Sequence, residues 1–329
     1  MKFTEEYIQN LAAPLSATAE ARCKEALENV SAALKGVGYS HTTEGGIRRL
    51  VENTQSFSME MRRGYNGRTI KIFTQGSYAN DTNISKTSDV DVAVVLESTF
   101  IMKDPEIYLR LNESHDQIRS RYNFSASDDT AMHLKDDVED ALRRYFEINA
   151  VQRKNKSIKV KGNTVRTDCD TVPAIRNRDY SKDTTINENN YIGGIQIHAD
   201  DGGIIVNYPE QHIRNGVTKN SQTNYNFKKC VRAAKNIREL MKSNGYSIPD
   251  EVSSFGIESL IWNASNEAYN KYASLRYIFD EVLIDLENRK NYWVIFKEAN
   301  GIKNLFSDSN MKNKYSSFFN DLREFYEYA

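Results

Sequence analysis

The chain has 329 residues, with 44 Lys and Arg against 45 Asp and Glu and 39% hydrophobic residues, which suffices for one large or two modest domains and excludes disorder as the main state. A net charge of −1 excludes a protein that coats nucleic acid through overall basicity, so any nucleotide contact has to be local. Cys23, Cys169 and Cys230 lie far apart with no CxxC pair, which argues against a disulfide framework or zinc module and for a reducing cytoplasm. No apolar run reaches the roughly 18–20 residues that span a bilayer, and residues 1–10 do not read as a signal peptide. A soluble cytosolic protein with no membrane partner is expected.

Ile8, Leu11, Leu15, Ala19, Cys23, Leu27 and Val30 recur at spacings of three and four, which predicts a long amphipathic packing helix from Glu5 to about Leu34. Pro14 lies inside it and, lacking an N–H, predicts a kink or a late start. A second helix is expected from about Thr43 to Arg63. The period then changes: Thr69 to Thr74 reads as a strand ending at Gln75, Gly76 and Ser77. Asp89 to Leu96 reads as a mostly buried strand charged only at its start. Helices are expected over about Pro105 to Tyr122 and Thr130 to Ile148, separated by a polar turn from Ser125 to Asp129. Strands return as a hairpin, Ser157 to Val160 and Thr164 to Val172, with Pro173 closing the second strand. A further hairpin pairs Ile192 to Ala199 with Gly203 to Asn207. Beyond Asn224 helices are expected at Phe227 to Lys242, Ser254 to Ala268, Tyr272 to Glu287 and Asn310 to Tyr328. The fold class is therefore α+β: a catalytic lobe with a mixed sheet and an N-terminal packing helix over residues 1–213, and a helical lobe over 214–329. With no glycine-serine linker between them, a ligand cleft between the lobes is expected.

The informative segment is residues 73–96, FTQGSYANDTNISKTSDVDVAVVL. On a strand, positions i and i+2 share a face, so Asp89 and Asp91 project together at a separation that suits divalent cations. A pair of Mg²⁺ ions there bridges triphosphate oxygens and activates an attacking hydroxyl. Gly76 permits close backbone approach, and the Ser77 amide and hydroxyl suit a phosphate oxygen. By itself the DxD pair reads better as a solvated turn. A third carboxylate from a neighbouring strand strengthens the functional reading, and Asp168-Cys169-Asp170 supplies it, since Asp168 and Asp170 share a face by the same rule.

The order GS, a spacer of about a dozen residues, DhDh and later hDhVPA (h, apolar) resembles the polymerase-β-type nucleotidyltransferases. Within them it is most similar to the bacterial cGAS/DncV-like nucleotidyltransferases, over about Ile70 to Asn263. The resemblance implies a polymerase-β-like core and a helical lobe with the active site between. It implies that Asp89, Asp91 and Asp170 hold two Mg²⁺ ions, with Mn²⁺ as a substitute, and that Gln75, Gly76 and Ser77 contact the donor triphosphate. A second match lies in the helical half, Cys230-Val231-Arg232-Ala233-Ala234-Lys235 and then Ser253-Ser254-Phe255. Arg232 and Lys235 share a helix face and are expected to point into the cleft together as nucleotide-binding residues. The resemblance gives the place of Lys235 a grip on the triphosphate, helped by Ser254, and gives Phe255 a stack on the base. The plain alternatives are a solvated helix face for Arg232 and Lys235, an N-cap for Ser254, and a core aromatic for Phe255.

The substrates implied are nucleoside triphosphates, joined without a template into a cyclic di- or trinucleotide with release of pyrophosphate, as a signal in antiphage defence. The alternatives are a transferase making a linear oligonucleotide or modifying another hydroxyl, and a nucleotide-binding pseudoenzyme. Base choice is expected to depend on residues around Asn177 to Asn190 and on the ends of the late helices. His198 and His212 read as lone structural or exposed residues with no zinc spacing. Without a zinc module, activation by long nucleic acid is not expected; a monomer with either a constitutively formed site or a protein regulator is. The C-terminal Ala329 is compatible with conjugation by ubiquitin-like machinery, although the end of a last helix explains it as well.

Overall fold

The computed structural model describes all residues except 1–2, 15–17, 43–45, 53, 85–88, 126–132, 165 and 329. Helices α1 (Glu5–Ala12) and α2 (Thr18–Lys35) come first, then strands β1 (Tyr39–His41), β2 (Arg48–Arg49), β3 (Phe57–Arg63) and β4 (Thr69–Gln75). A single helical turn, α3 (Gly76–Ala79), precedes β5 (Val90–Lys103), and α4 (Glu106–Leu109), α5 (His115–Arg121) and α6 (Leu134–Tyr145) follow. Strands β6 (Val151–Arg153), β7 (Ile158–Val160), β8 (Cys169–Asp179), β9 (Ile192–His198) and β10 (Ile204–Asn207) complete the sheet. The rest is helical: α7 (Pro209–Gln222), α8 (Phe227–Ser243), α9 (Ser254–Trp262), α10 (Asn266–Asn270), α11 (Leu275–Asn288) and α12 (Ser309–Tyr328).

The sheet runs β1-β3-β4-β5-β8-β7-β6, with β9 added to the far end of β8 and β10 to β9. Among the described residues, only β5 and β8 pair in parallel. Along β5 the side chains separate by parity: Val90, Val92, Val94 and Leu96 enter the core under α2 and α6, while Ala93 and Val95 enter a smaller core on the opposite face. Both faces are buried, which is why the strand reads as a continuous apolar run. Asp91 shares the parity of Ala93, and Asp170 that of Val172 and Ala174, so these carboxylates leave the face opposite α2.

Several expectations change. Pro14 falls between α1 and α2, and the two helices serve different cores. Ile8 and Ala12 pack with Phe227 and Val231 of the helical half, whereas Ala19, Cys23 and Leu27 pack on the sheet. Where a helix is expected over Thr43 to Arg63, the structure has β2 and β3; residues 43–45 of that span lie outside the described residues. Phe57, Met59 and Met61 are all buried at period two, and pairing with β4 overrides the helical propensity of methionine. The helix expected over Pro105 to Tyr122 is two short ones, and that over Ser254 to Ala268 is α9 and α10. Residues 126–129 of the expected polar turn, and 130–132 of the helix after it, lie outside the described residues.

Pro173 does not close a strand but sits inside β8. There β7 has ended at Thr171 and β9 does not begin until Ile175, so a missing N–H forfeits no ladder bond on that side. Helix α7, not anticipated, carries the chain out of the sheet with Pro209 in its first turn. All three cysteines are unpaired and buried, and no helix among the described residues is long and apolar enough to cross a membrane. Phe325 and Tyr326 near the end of α12 belong to the helical core; Ala329 lies outside the described residues.

Candidate active site

Sheet register assembles the first half of the site. Gln75 at the end of β4 pairs with Asp91 on β5, Asp91 pairs with Asp170 on β8, and Asp170 pairs with Lys159 on β7. Asp89 lies two residues before Asp91, just ahead of β5. Each flanking carboxylate leans on a lysine: Lys159 Nζ lies 2.8 Å from Asp89 Oδ2 and 3.1 Å from Asp168 Oδ2, and Lys154 Nζ lies 3.0 Å from Asp170 Oδ1. Among the described residues, no cation forms a salt bridge with Asp91. Burial and the neighbouring Asp170 and Asp89 charges push its carboxyl up to about 7, against a smaller opposing pull from Lys154. The Lys159 ammonium is held in its charged form chiefly by its bond to Asp89. Asp168 is held low: burial would raise it, but the Gly162 amide and Lys159 outweigh that.

Gly76 opens α3 at a φ of +72°, and a Cβ there would lie 2.2 Å from Asp91 Oδ2. The glycine is thus needed twice, for the left-handed backbone and for the carboxylate seated against it. The turn after α3 folds back on the same loop: Asn80 Nδ2 donates to the Gly76 carbonyl at 2.9 Å, and the Thr82 amide to the Ser77 carbonyl at 2.9 Å.

The second half comes from the helical lobe. Lys235 on α8 is 2% exposed, and its ammonium donates to Glu258 Oε2 at 2.8 Å, the Thr82 carbonyl at 3.1 Å and Thr82 Oγ1 at 3.2 Å. Glu258 on α9 also accepts from Thr82 Oγ1 at 2.7 Å and bonds His212 Nε2 on α7 at 2.8 Å. Asn80 Nδ2 lies 3.3 Å from His212 Nδ1; with that amide also donating to Gly76, the imidazole keeps its proton on Nε2 and donates it to Glu258. Burial would raise the Glu258 carboxyl, yet Lys235 and His212 hold it well below the usual range. Burial lowers Lys235, opposed by Glu258. One buried network therefore ties the loop after Gly76 to α7, α8 and α9.

Between the halves lies a cavity of about 410 Å³ lined by Gln75, Gly76, Ser77, Asp91, Lys235, Ser254 and Phe255, all singled out in the sequence. Asp89 and Asp170 flank Asp91 without lining it. Arg232 is not brought to it: the guanidinium is 4% exposed, donates to the Ala12 carbonyl at 2.7 Å and pairs with Asp81, joining α1 to the loop after α3. Neither Arg232 nor Lys235 forms a solvated face. The N-cap of α9 is Ser253, which accepts from the Gly256 amide, so Ser254 stands one place inside the helix and accepts from Arg238 at 2.8 Å. Phe255 is 36% exposed, not a core residue, and meets the His212 ring edge-on at 4.9 Å.

The sequence reading missed Asn207, Tyr208, His212, Glu258, Glu298 and Asn300, which line the same cavity. One signal was available: Glu258 is the only charge in the apolar stretch SFGIESLIW, and a buried charge demands a partner. His212 is buried and structural, as expected of it, but at the cavity wall. None of residues 177–190 lines this cavity, and His198 bonds Gln196 instead.

As they stand, no three His, Cys, Asp or Glu side chains among the described residues converge on a metal position. The carboxylate row nevertheless fits a hard cation: its donors are all oxygens, and burial together with the neighbouring Asp170 and Asp89 charges raises the Asp91 carboxyl.

A family model for the nucleotidyltransferase domain matches residues 57–161. Another, for the cGAS/DncV-like nucleotidyltransferase C-terminal helical domain, matches residues 214–327. The chain is 39% identical to cyclic GMP-AMP synthase CdnE03 of Staphylococcus schleiferi over 100% of its length and 98% of that protein's. It is 30% identical to the cyclic dipurine nucleotide synthase of Elizabethkingia meningoseptica, over 95% of this chain and 94% of the other. Among solved structures, the Rhodothermus marinus CdnE c-UMP-AMP synthase with Apcpp and Upnpp superposes with a TM-score of 0.76 at 25% identity, covering 100% of this chain and 99% of that one.

Proposed function

The chain belongs to the cGAS/DncV-like nucleotidyltransferase family, and from that premise we propose that it joins nucleoside triphosphates, without a template, into a cyclic di- or trinucleotide. The observation that carries this reading is the register Gln75–Asp91–Asp170, of which Gln75 and Asp91 line one cavity together with a glycine loop and a buried lysine. In each transfer an acceptor 2′- or 3′-hydroxyl oxygen bonds the α-phosphorus of a donor triphosphate, the bond to the bridging oxygen breaks, and pyrophosphate leaves. A final transfer within the linear intermediate, again with loss of pyrophosphate, closes the ring.

The chain's own residues divide this work. The Gly76 and Ser77 backbone and the Ser77 hydroxyl receive the donor phosphates, and Lys235, aimed by Glu258 and Thr82, supplies positive charge to them. Phe255 offers a stacking face to a base. Asp170 takes up the acceptor proton. Bound at Asp89, Asp91 and Asp170, two Mg²⁺ ions, or Mn²⁺ in their place, would lower the pKa of the acceptor hydroxyl and steady charge at the α-phosphate. Arg232 acts at a distance, fixing the loop that bears Thr82.

The family match that begins at residue 214 supports a division of lobes near residues 213 and 214, and we read the working unit as a monomer. Three buried, unpaired thiols support a cytoplasmic setting. A signalling role in antiphage defence, under a protein regulator, follows from family membership alone. The test is incubation with the four ribonucleoside triphosphates and Mg²⁺, then phosphatase treatment and mass spectrometry. A phosphatase-resistant mass of two or three joined nucleoside monophosphates, less water for each bond, is expected; only phosphatase-sensitive chains would show a linear product instead.

A further inference from the structure

Glu298 and Asn300 reach the cavity from a turn closed by a bridge between Lys297 and Asn304. This turn is anchored on several sides. Asn263 donates to the Lys297 carbonyl at 2.6 Å and accepts its amide at 3.2 Å, the Ala299 amide donates to Ser259 Oγ at 3.0 Å, and the Ala299 carbonyl accepts from Asn215 at 3.0 Å. The Glu298 carboxylate is itself oriented: Asn300 Nδ2 donates to its Oε2 at 2.6 Å, and Lys303 Nζ lies 3.8 Å from its Oε1. An ionised carboxylate offers about four acceptor sites and no donor, so these two contacts leave it capacity for a ligand.

The charge pattern fixes which part of a nucleotide it meets. Glu258 is neutralised by Lys235 and hydrogen-bonded by His212, but Glu298 has only a distant lysine and would repel a polyphosphate. It therefore belongs against the base. Phe255 presents a ring face, which every base can stack on, so it does not discriminate. Discrimination falls to a group that reads base edges. We infer that Glu298, held by Asn300 on a rigid turn, selects a base bearing an exocyclic amine, adenine, cytosine or guanine, over uracil for the nucleotide bound in this cavity. This rests on the cavity being the triphosphate site proposed above. An amine donates to a carboxylate, whereas uracil places two carbonyls beside its one N–H and turns their lone pairs toward it.

The experiment titrates the Mg²⁺ complexes of the α,β-methylene analogues of ATP, GTP, CTP and UTP into the protein and into Glu298→Gln. Tripolyphosphate serves as a base-free probe, and thermal melting checks each variant. At least one amine-bearing analogue should bind about tenfold or more tightly than the UTP analogue. Glu298→Gln, whose amide can donate to a carbonyl, should reduce that ratio to about twofold or less, leaving tripolyphosphate binding unchanged. Glu298→Ala should do the same without adding a donor. A ratio unchanged in both variants, or a preference of the unmodified protein for the UTP analogue, overturns the inference. So does loss of discrimination against 2′-deoxy analogues with the base ratio intact, which would put Glu298 on the ribose. Failure of tripolyphosphate and every analogue to bind would instead remove the triphosphate site, and the inference with it.

Discussion

The two walls of the cavity hold their charges in opposite ways. On the sheet side, Asp89, Asp91 and Asp170 crowd together, partly open to solvent, with lysines on the outer two and a raised carboxyl at the centre. On the helical side, Lys235, Glu258, His212 and Thr82 are buried and mutually satisfied. The first wall holds a charge conflict of the kind a bound cation would relieve; the second is already organised before any ligand arrives. Substitutions should separate them, costing chemistry on one side and stability on the other.

The sharpest break is Asp91→Asn. It should lower turnover by roughly three orders of magnitude or more, while removal of one like charge leaves the melting temperature unchanged or slightly higher without metal. Equal loss of stability and activity in a melting and product assay would contradict the division. Glu258→Gln is the mirror case. It leaves a buried lysine without its counter-ion, so chemical denaturation should show a loss of about 3 kcal/mol. Gly76→Ala joins the walls, because the added Cβ meets Asp91 and the φ of +72° disfavours it. A stability cost of about 1–2 kcal/mol with an activity loss of roughly 100-fold is expected from the same two assays.

The pH dependence sharpens the contrast. The Asp91 carboxyl rises from its ordinary value to about 7 on folding. A raised folded pKa favours the folded state below the unfolded value and loses that contribution as pH climbs to about 7. Metal-free protein should therefore lose on the order of 1–2 kcal/mol between pH 5 and pH 8 through this group. Melting curves of Asp91→Asn should lack that component, and Mg²⁺ should suppress it in the unmodified chain. The smallest effect belongs to Lys154→Ala, whose side chain is 37% exposed in its pair with Asp170. Its stability change should stay within about 1 kcal/mol, and its apparent Mg²⁺ requirement should fall, as a competitor for Asp170 is gone.

The sheet wall was legible because period two is a local rule: Asp89 and Asp91, or Asp168 and Asp170, share a face wherever the strand goes. Lys235, Ser254 and Phe255 became legible through the resemblance. What escaped was set by tertiary contact. His212 stands on a helix that the sequence reading passed over, Glu258 is 46 residues further on, and the two meet only when α7 and α9 pack. Arg232 has the spacing of a cleft residue, but its direction depends on where α1 ends. Phe57 to Arg63 reads as helix until β4 is beside it, since pairing and burial outweigh the propensity of two methionines. Glu298 and Asn300 belong to a turn whose position no periodicity records.

The central claim is that the carboxylate row exchanges its lysines for two metal ions when a triphosphate enters. Mn²⁺ binding followed by electron paramagnetic resonance, with saturating α,β-methylene ATP, tests it directly. Two Mn²⁺ ions per chain, magnetically coupled to each other and lost in Asp91→Asn, are the predicted result. A single ion that follows the nucleotide and persists in Asp91→Asn would contradict it.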